Sequence, residues 1–597
     1  MGNQKKLAAR GGPTRRKVLV TALTAGAGVA AARVLGMRNL GSDTITEALD
    51  PMTAVAGMDP MGTYGAGTMD DPDGSLGIPD DSFFGPQNLD GTVLPEQLRP
   101  AATLPPVAAS PRTITAAAPG ALQPPISGIT APRIAGDLDW VSPLGTQQAM
   151  VTHLLRRATF GYTDAELDRA LSEGYKATVD RFVDTPFAEP PAYTVRPAAT
   201  PRPKPTATPT PRPSGVAATA TPAATLTAAA TKTPAPSPSL AAPMTNNTPI
   251  NIGNLQVWWV DWMTQSPTPF GEKMTLFWHG HFTSDYRKVG TNSPAIYWQN
   301  LTWRKMAMGD LKSMLMQVTP DLAMLRYLDL AVSTGRAPNE NYARELMELF
   351  TLGVGNYTED DVKAAAKALA GWRLPMRTEP TAQTGIFDPK RAYTGAVTFL
   401  GKTAMFDAAG VVDQILAQEA TATFVTRELA RYFVSPGVSD AYVARLADGF
   451  RRSRYDVRSL MRSIFMSPEF TAPDAYRALI KSPTEFMISS AKALGATNLS
   501  RTMTGYGSML GQNLFDPPSV AGWGDNASWI SSNTMLQRAN YVSTILGQLR
   551  AVPSAAKAHE RHLDSVLGAG TVQELNNARD DRSRWFAVFA APEFQLK

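Results

Sequence analysis

Cysteine is absent from all 597 residues, so no disulfide framework, thiolate zinc site or iron–sulfur ligation is available. Histidine is scarce, at 5 residues, which leaves few borderline ligands for a metal. Charged residues make up 18%, and the net charge of +5 is dispersed rather than gathered into a Lys/Arg tract interleaved with aromatics. Nucleic-acid binding therefore has no support. Beyond the N-terminus no run approaches the roughly 20 apolar residues of a membrane span. No G-x-S-x-G elbow, H-E-x-x-H, phosphate loop or dinucleotide fingerprint stands in a supporting context. The missing disulfides do not argue against export, because a chain with a large core needs no such staples.

What is there begins with an address. In residues 1–36, Thr14-Arg15-Arg16-Lys17 precede a weakly apolar stretch from Val18 to Ala32. A basic start, a short apolar region and small residues at Ala30-Ala31-Ala32 fit a secretory signal, and the paired arginines resemble the twin-arginine type. The expected location is the cell envelope or the exterior. Arg33, directly after the small residues, leaves open an uncleaved membrane anchor.

The 48 prolines and 46 glycines are concentrated in a few segments. Residues 37–139 read as a disordered Gly/Pro/Ala-rich linker, with turn formers every few residues and no helical periodicity. A second such segment, 186–250, centres on Pro201-Arg202-Pro203-Lys204-Pro205-Thr206. Its Pro/Thr alternation favours extended chain and offers hydroxyls for glycosylation. Helical patterning lies on both sides of it. The expectation is one large, mostly α, multi-helix domain over 140–597, interrupted by a disordered loop.

A capping box at Thr163-Asp164-Ala165-Glu166 opens one of its helices, and Thr358 followed by an acidic first turn of Glu359, Asp360 and Asp361 opens another. Helical patterns also cover 255–265, 270–279, 311–330, 340–352, 408–433, 440–451, 457–466 and 476–494.

Three stretches carry candidate chemistry. The first is Phe277-Trp278-His279-Gly280-His281-Phe282. Two residues of regular helix would point the histidines about 200° apart. Gly280 as a helix-ending residue would let His281 turn back toward His279, and paired imidazoles suit zinc or iron. The competing reading has both rings hydrogen-bonded in an aromatic core. The second is Asn339 to Phe350, where Asn341, Glu345 and Glu348 line the flank of an apolar arc within roughly 60° of each other. Carboxylates so placed are used by helical metal sites, and equally by a buried salt-bridge network with Arg336 or Arg373. Glu340 and Arg344 form an i,i+4 pair on the outer side. The third is Asn513 to Trp523, whose tandem prolines and aromatics describe either a binding wall for a flat ligand such as a sugar or a packed cap over helix ends.

Together these stretches resemble the bacterial family catalogued as domain of unknown function 1800. The resemblance is carried by His153 to Gly161, Glu272 to Phe282, Asn339 to Leu346, Phe350 to Gly353, Tyr357 to Val362, Gly371-Trp372, Ser467 to Phe470, Pro517 to Trp523 and Ala591 to Gln595. It covers about Gln147 to the C-terminus, leaving out the Pro/Thr loop. It implies an exported helical protein whose gene neighbours often encode exported proteins similar to alkaline phosphatases and sulfatases. Where relatives carry a His-Asp pair before Gly-x-Lys, this chain reads Arg391-Ala392-Tyr393-Thr394-Gly395.

Two functions follow as expectations. One is a metal-dependent enzyme, hydrolytic or oxidative, with His279, His281 and Glu345 as ligands to zinc or iron and Glu348 as ligand or general base. The other is a non-catalytic envelope protein that binds a phosphatase- or sulfatase-like partner or a polysaccharide.

Overall fold

Capping residues set where many of the helices begin. Thr163 accepts from the Glu166 amide while Glu166 reaches back to the Thr163 amide, and Thr358 and Asp361 repeat the arrangement. The computed structural model describes residues 143–194 and 244–597. The signal or anchor expected at 1–36, the linker expected at 37–139 and the 195–243 part of the expected insertion lie outside the described residues.

Gln147–Ala158 (α1), Asp164–Glu173 (α2) and Tyr175–Asp184 (α3) precede the insertion. After it come Ile252–Gln265 (α4), Pro269–His281 (α5), Tyr286–Val289 (α6), Ala295–Met306 (α7), Leu311–Val318 (α8) and Leu322–Tyr327 (α9). Asn341–Glu348 (α10) and Glu359–Leu369 (α11) lead into two antiparallel pairs. Trp372–Arg373 (β1) pairs with Ile386–Phe387 (β2), and Val397–Phe399 (β3) with Lys402–Ala404 (β4). Ala408–Leu416 (α12), Glu419–Phe433 (α13), Asp440–Arg452 (α14) and Val457–Phe465 (α15) follow. Next are Pro483–Ala493 (α16), Ser500–Met509 (α17) and Ser532–Gln548 (α18). The last are Ala558–Leu563 (α19), Ala569–Asn577 (α20), Asp581–Ala590 (α21) and Pro592–Gln595 (α22). The fold is mostly α, and no helix among the described residues is long and apolar enough to cross a membrane.

Three expected helices are shorter than their patterns. The 311–330 pattern breaks at Pro320, which has no amide to donate and disfavours helix in the residue before it. The 476–494 pattern becomes helical only from Pro483, at the first helical position where a missing amide costs nothing. The 408–433 pattern splits at Gln418, which is extended, and the Ile415 carbonyl at the break accepts from the Gln418 amide and the Thr421 hydroxyl.

Two helices are buried nearly all round. In α5 every residue from Pro269 to His279 is buried, and in α16 every residue from Pro483 to Lys492. The helices before the insertion belong to the same core: Phe182 of α3 stacks on Phe270 at 6.0 Å, and Arg156 of α1 binds Asp564. The Pro/Thr segment therefore interrupts the sequence without separating two cores.

Candidate functional site

The first turn of α5 is fixed by charge. Glu272 accepts from the indole N–H groups of Trp259 (2.9 Å) and Trp262 (3.0 Å) and from Arg304 through Nε (2.7 Å) and a second nitrogen (2.9 Å). Both ionic side chains are at most 2% exposed. This joins α4, α5 and α7 and aims the far end of α5, with its two histidines, at the rest of the site.

That end does not break at Gly280. The helix continues through His281 and the Phe282 amide caps it by donating to Trp278. The imidazoles consequently diverge, as regular helix requires. His279 enters a box of Trp259, Phe515 and Trp523, with ring centroids 5.1 to 5.4 Å away. His281 stacks on Phe277, and its Nε2 donates to the Phe350 carbonyl at 3.0 Å. Burial pushes His279 down to about 3. Burial also pushes His281 down to about 4, opposed by the Phe350 carbonyl. Both rings are neutral at neutral pH.

The proline-rich loop is the other wall. Phe515 sits at φ +65°, a left-handed conformation that costs a bulky residue energy. Two bonds hold it there. Its N–H donates to His279 Nε2 at 3.2 Å, and its carbonyl accepts from the Tyr286 amide at 3.0 Å. Acceptance at Nε2 places the His279 proton on Nδ1. Further along, Gly522 has φ +81°, and a methyl there would lie 2.5 Å from the Gly280 carbonyl oxygen. Gly280 itself has open space where its own methyl would be. Gly280→Ala should thus raise stability by up to ~1 kcal/mol. Gly522→Ala should lower it by about 2 kcal/mol or more. Thermal denaturation of the two variants checks the pair, and similar melting temperatures would contradict it.

The carboxylates of α10 have partners of their own. Glu348 accepts a hydrogen bond from the Tyr357 hydroxyl. Half-buried Glu345 is raised above the ordinary carboxylate range, first by burial and then by Glu348, with Arg344 opposing. It also acts on Tyr327, together with Asp285. Arg344 binds Glu359 at 2.7 Å and Glu340 at 3.4 Å, while Arg373 pairs with Glu379. The salt-bridge partners expected for Glu345 and Glu348, Arg336 and Arg373, are therefore not theirs.

A shared zinc or iron site does not fit these residues. The lone pair of His279 Nε2 is engaged by the Phe515 amide, His281 faces the other way, and no carboxylate contributes to the shift of either ring. Among the described residues, no group of three or more His, Asp or Glu side chains is placed to hold an ion. His279, His281, Glu345 and Glu348 occupy one region of the fold without forming one coordination sphere. What assembles instead is a joint in which α5, the turn that follows α10 and the 513–523 loop are tied through the two imidazoles and the Gly280–Gly522 contact. Ala392 and Tyr393 pack their backbone against Gly335.

A family model described as a protein of unknown function, DUF1800, matches residues 153–596. The chain belongs to that family. No curated protein and no solved structure matches it. In this DUF1800 chain the sequence reading overlooked Glu272, the acceptor that positions α5. The signal for it was a lone acid in the first turn of an apolar helix, with tryptophans three apart in the preceding helix. The Phe515 amide carries no residue-type signature and was not legible.

Proposed function

We infer that this chain is a non-catalytic binding or scaffold protein of the cell envelope, directed there by its N-terminal segment. One observation carries the reading: the imidazoles best suited to chemistry are spent on the backbone, His279 accepting from Phe515 and His281 donating to Phe350. A small cavity beside the loop, next to Gln256, Thr484 and Gln512, measures about 10 Å³, the room of a single water. The partner proposed from the family resemblance is an exported phosphatase- or sulfatase-like protein, with a polysaccharide as the second ligand class.

The enzyme reading keeps one specific observation, the unpaired Glu345 with its raised protonation range beside Glu348. Metal content of the purified protein separates the two readings. The scaffold reading expects no stoichiometric zinc or iron in the wild type, and it expects His279→Ala with His281→Ala to melt at markedly lower temperature. Stoichiometric metal that disappears in a normally folded double variant would overturn it.

A further inference from the structure

Away from the histidines, three bulky apolar side chains stand out of a basic surface. Val332 is 66% exposed, Met376 55% and Phe387 45%. They belong to segments joined to one another by hydrogen bonds. The Gly371 amide donates to the Ser333 carbonyl, the Gly335 amide to the Arg391 carbonyl, and the Asp388 amide to the Gly371 carbonyl. The Arg391 side chain reaches the Ala331 carbonyl at 2.7 Å, and Trp372 lies opposite Phe387 across the β1–β2 pair. Residues 331–338 and 371–394 hold five cations, Arg336, Arg373, Arg377, Lys390 and Arg391, and two carboxylates. Both carboxylates are engaged: Glu379 binds Arg373 and the Met376 amide, and Asp388 accepts from the Lys390 amide. Arg336, Arg377 and Lys390 are exposed, within four residues in sequence of Val332, Met376 and Phe387 respectively.

We propose that this face, with Val332, Met376 and Phe387 projecting among Arg336, Arg377 and Lys390, docks on an anionic lipid surface. Apolar side chains that project singly, with cations between them, suit the boundary between headgroups and acyl chains. There the side chains lose contact with water and each cation meets a phosphate. The face is independent of the His279 joint and of the scaffold reading.

The absence of cysteine makes the test clean, since Phe387→Cys or Val332→Cys in the full chain creates a unique labelling site. An environment-sensitive fluorophore at either position should shift to the blue on phosphatidylglycerol vesicles. It should not shift on phosphatidylcholine vesicles, and high salt should reverse the change. A label at Met509→Cys, outside the face and 42% exposed in the native residue, should not respond. Arg336→Gln with Lys390→Gln should weaken the response on the order of tenfold. Silent labels at both 387 and 332 would overturn the proposal, whether the protein stays in solution or reaches the vesicles through another segment. An equal shift on phosphatidylcholine, or an unchanged response in the charge variant, would overturn it too.

Discussion

Glu272→Leu should unfold the protein or remove at least about 4 kcal/mol of its stability. The substitution leaves the Arg304 guanidinium buried with Asn300 as its remaining side-chain hydrogen-bond partner, and it strips two indole N–H groups of their acceptor. Breaking a buried ion pair from one side costs about 3 to 5 kcal/mol, and each orphaned donor about 1 to 3 more. Replacing both partners by apolar residues of similar volume avoids the unpaired charge. Glu272→Leu with Arg304→Met should therefore be more stable than Glu272→Leu alone. Urea denaturation of the two singles and the double measures the coupling. A single variant that loses less than about 1 kcal/mol would show that water enters the network and solvates the pair. The effect should reach the histidines as well. Trp259, bound to Glu272, also packs at 5.1 Å against both His279 and Phe515, so the left-handed Phe515 loses a wall when the tryptophan is freed.

This dependence also explains what the sequence could and could not disclose. Helix starts were legible where a side chain performs the cap, at Thr163 and Thr358, because the residue types and spacing are the interaction. The breaks at Pro320 and before Pro483 were legible in principle and were overridden by apolar periodicity, which continues across both. Gly280 misled in the opposite direction. Glycine permits a helix end without requiring one, and the neighbours decide. The glycine that cannot be replaced freely is Gly522, because its backbone meets the Gly280 carbonyl. The aromatic core around the histidines was legible as one of two readings, and their hydrogen-bond partners were not. His279 uses a backbone amide 236 positions away, and a backbone partner can belong to any residue.

Acidification should destabilise this fold well above the pH at which ordinary carboxylates titrate. An unfolded histidine binds its proton near 6.5. In the fold, burial holds His279 down to about 3 and His281 and His562 down to about 4. Between those values the unfolded chain carries protons that the folded chain does not, so stability is whole above about 6.5 and falls as pH drops. By pH 4 each of the three accounts for about 3 kcal/mol. His153, also depressed by burial, adds in the same direction. Asp321 works the other way. Burial lifts it to about 7 against the Met324 amide and Gln299, so its share is present below about 4 and lost as pH rises through 7. Its roughly 4 kcal/mol offsets part of the loss, and the histidines set the direction of the change, a fall in stability from pH 7.5 to 4. His562 offers the cleanest check because it lies outside the candidate site, stacked on Tyr162 at 5.4 Å. Phenylalanine at that position keeps the stack and removes the titration. The urea midpoint of His562→Phe should therefore decline less steeply with acid, by about 3 kcal/mol over that range. Parallel curves for the two proteins would mean that the folded imidazole takes up its proton after all, with Asp164, 4.0 Å from Nε2, as the carboxylate that holds it.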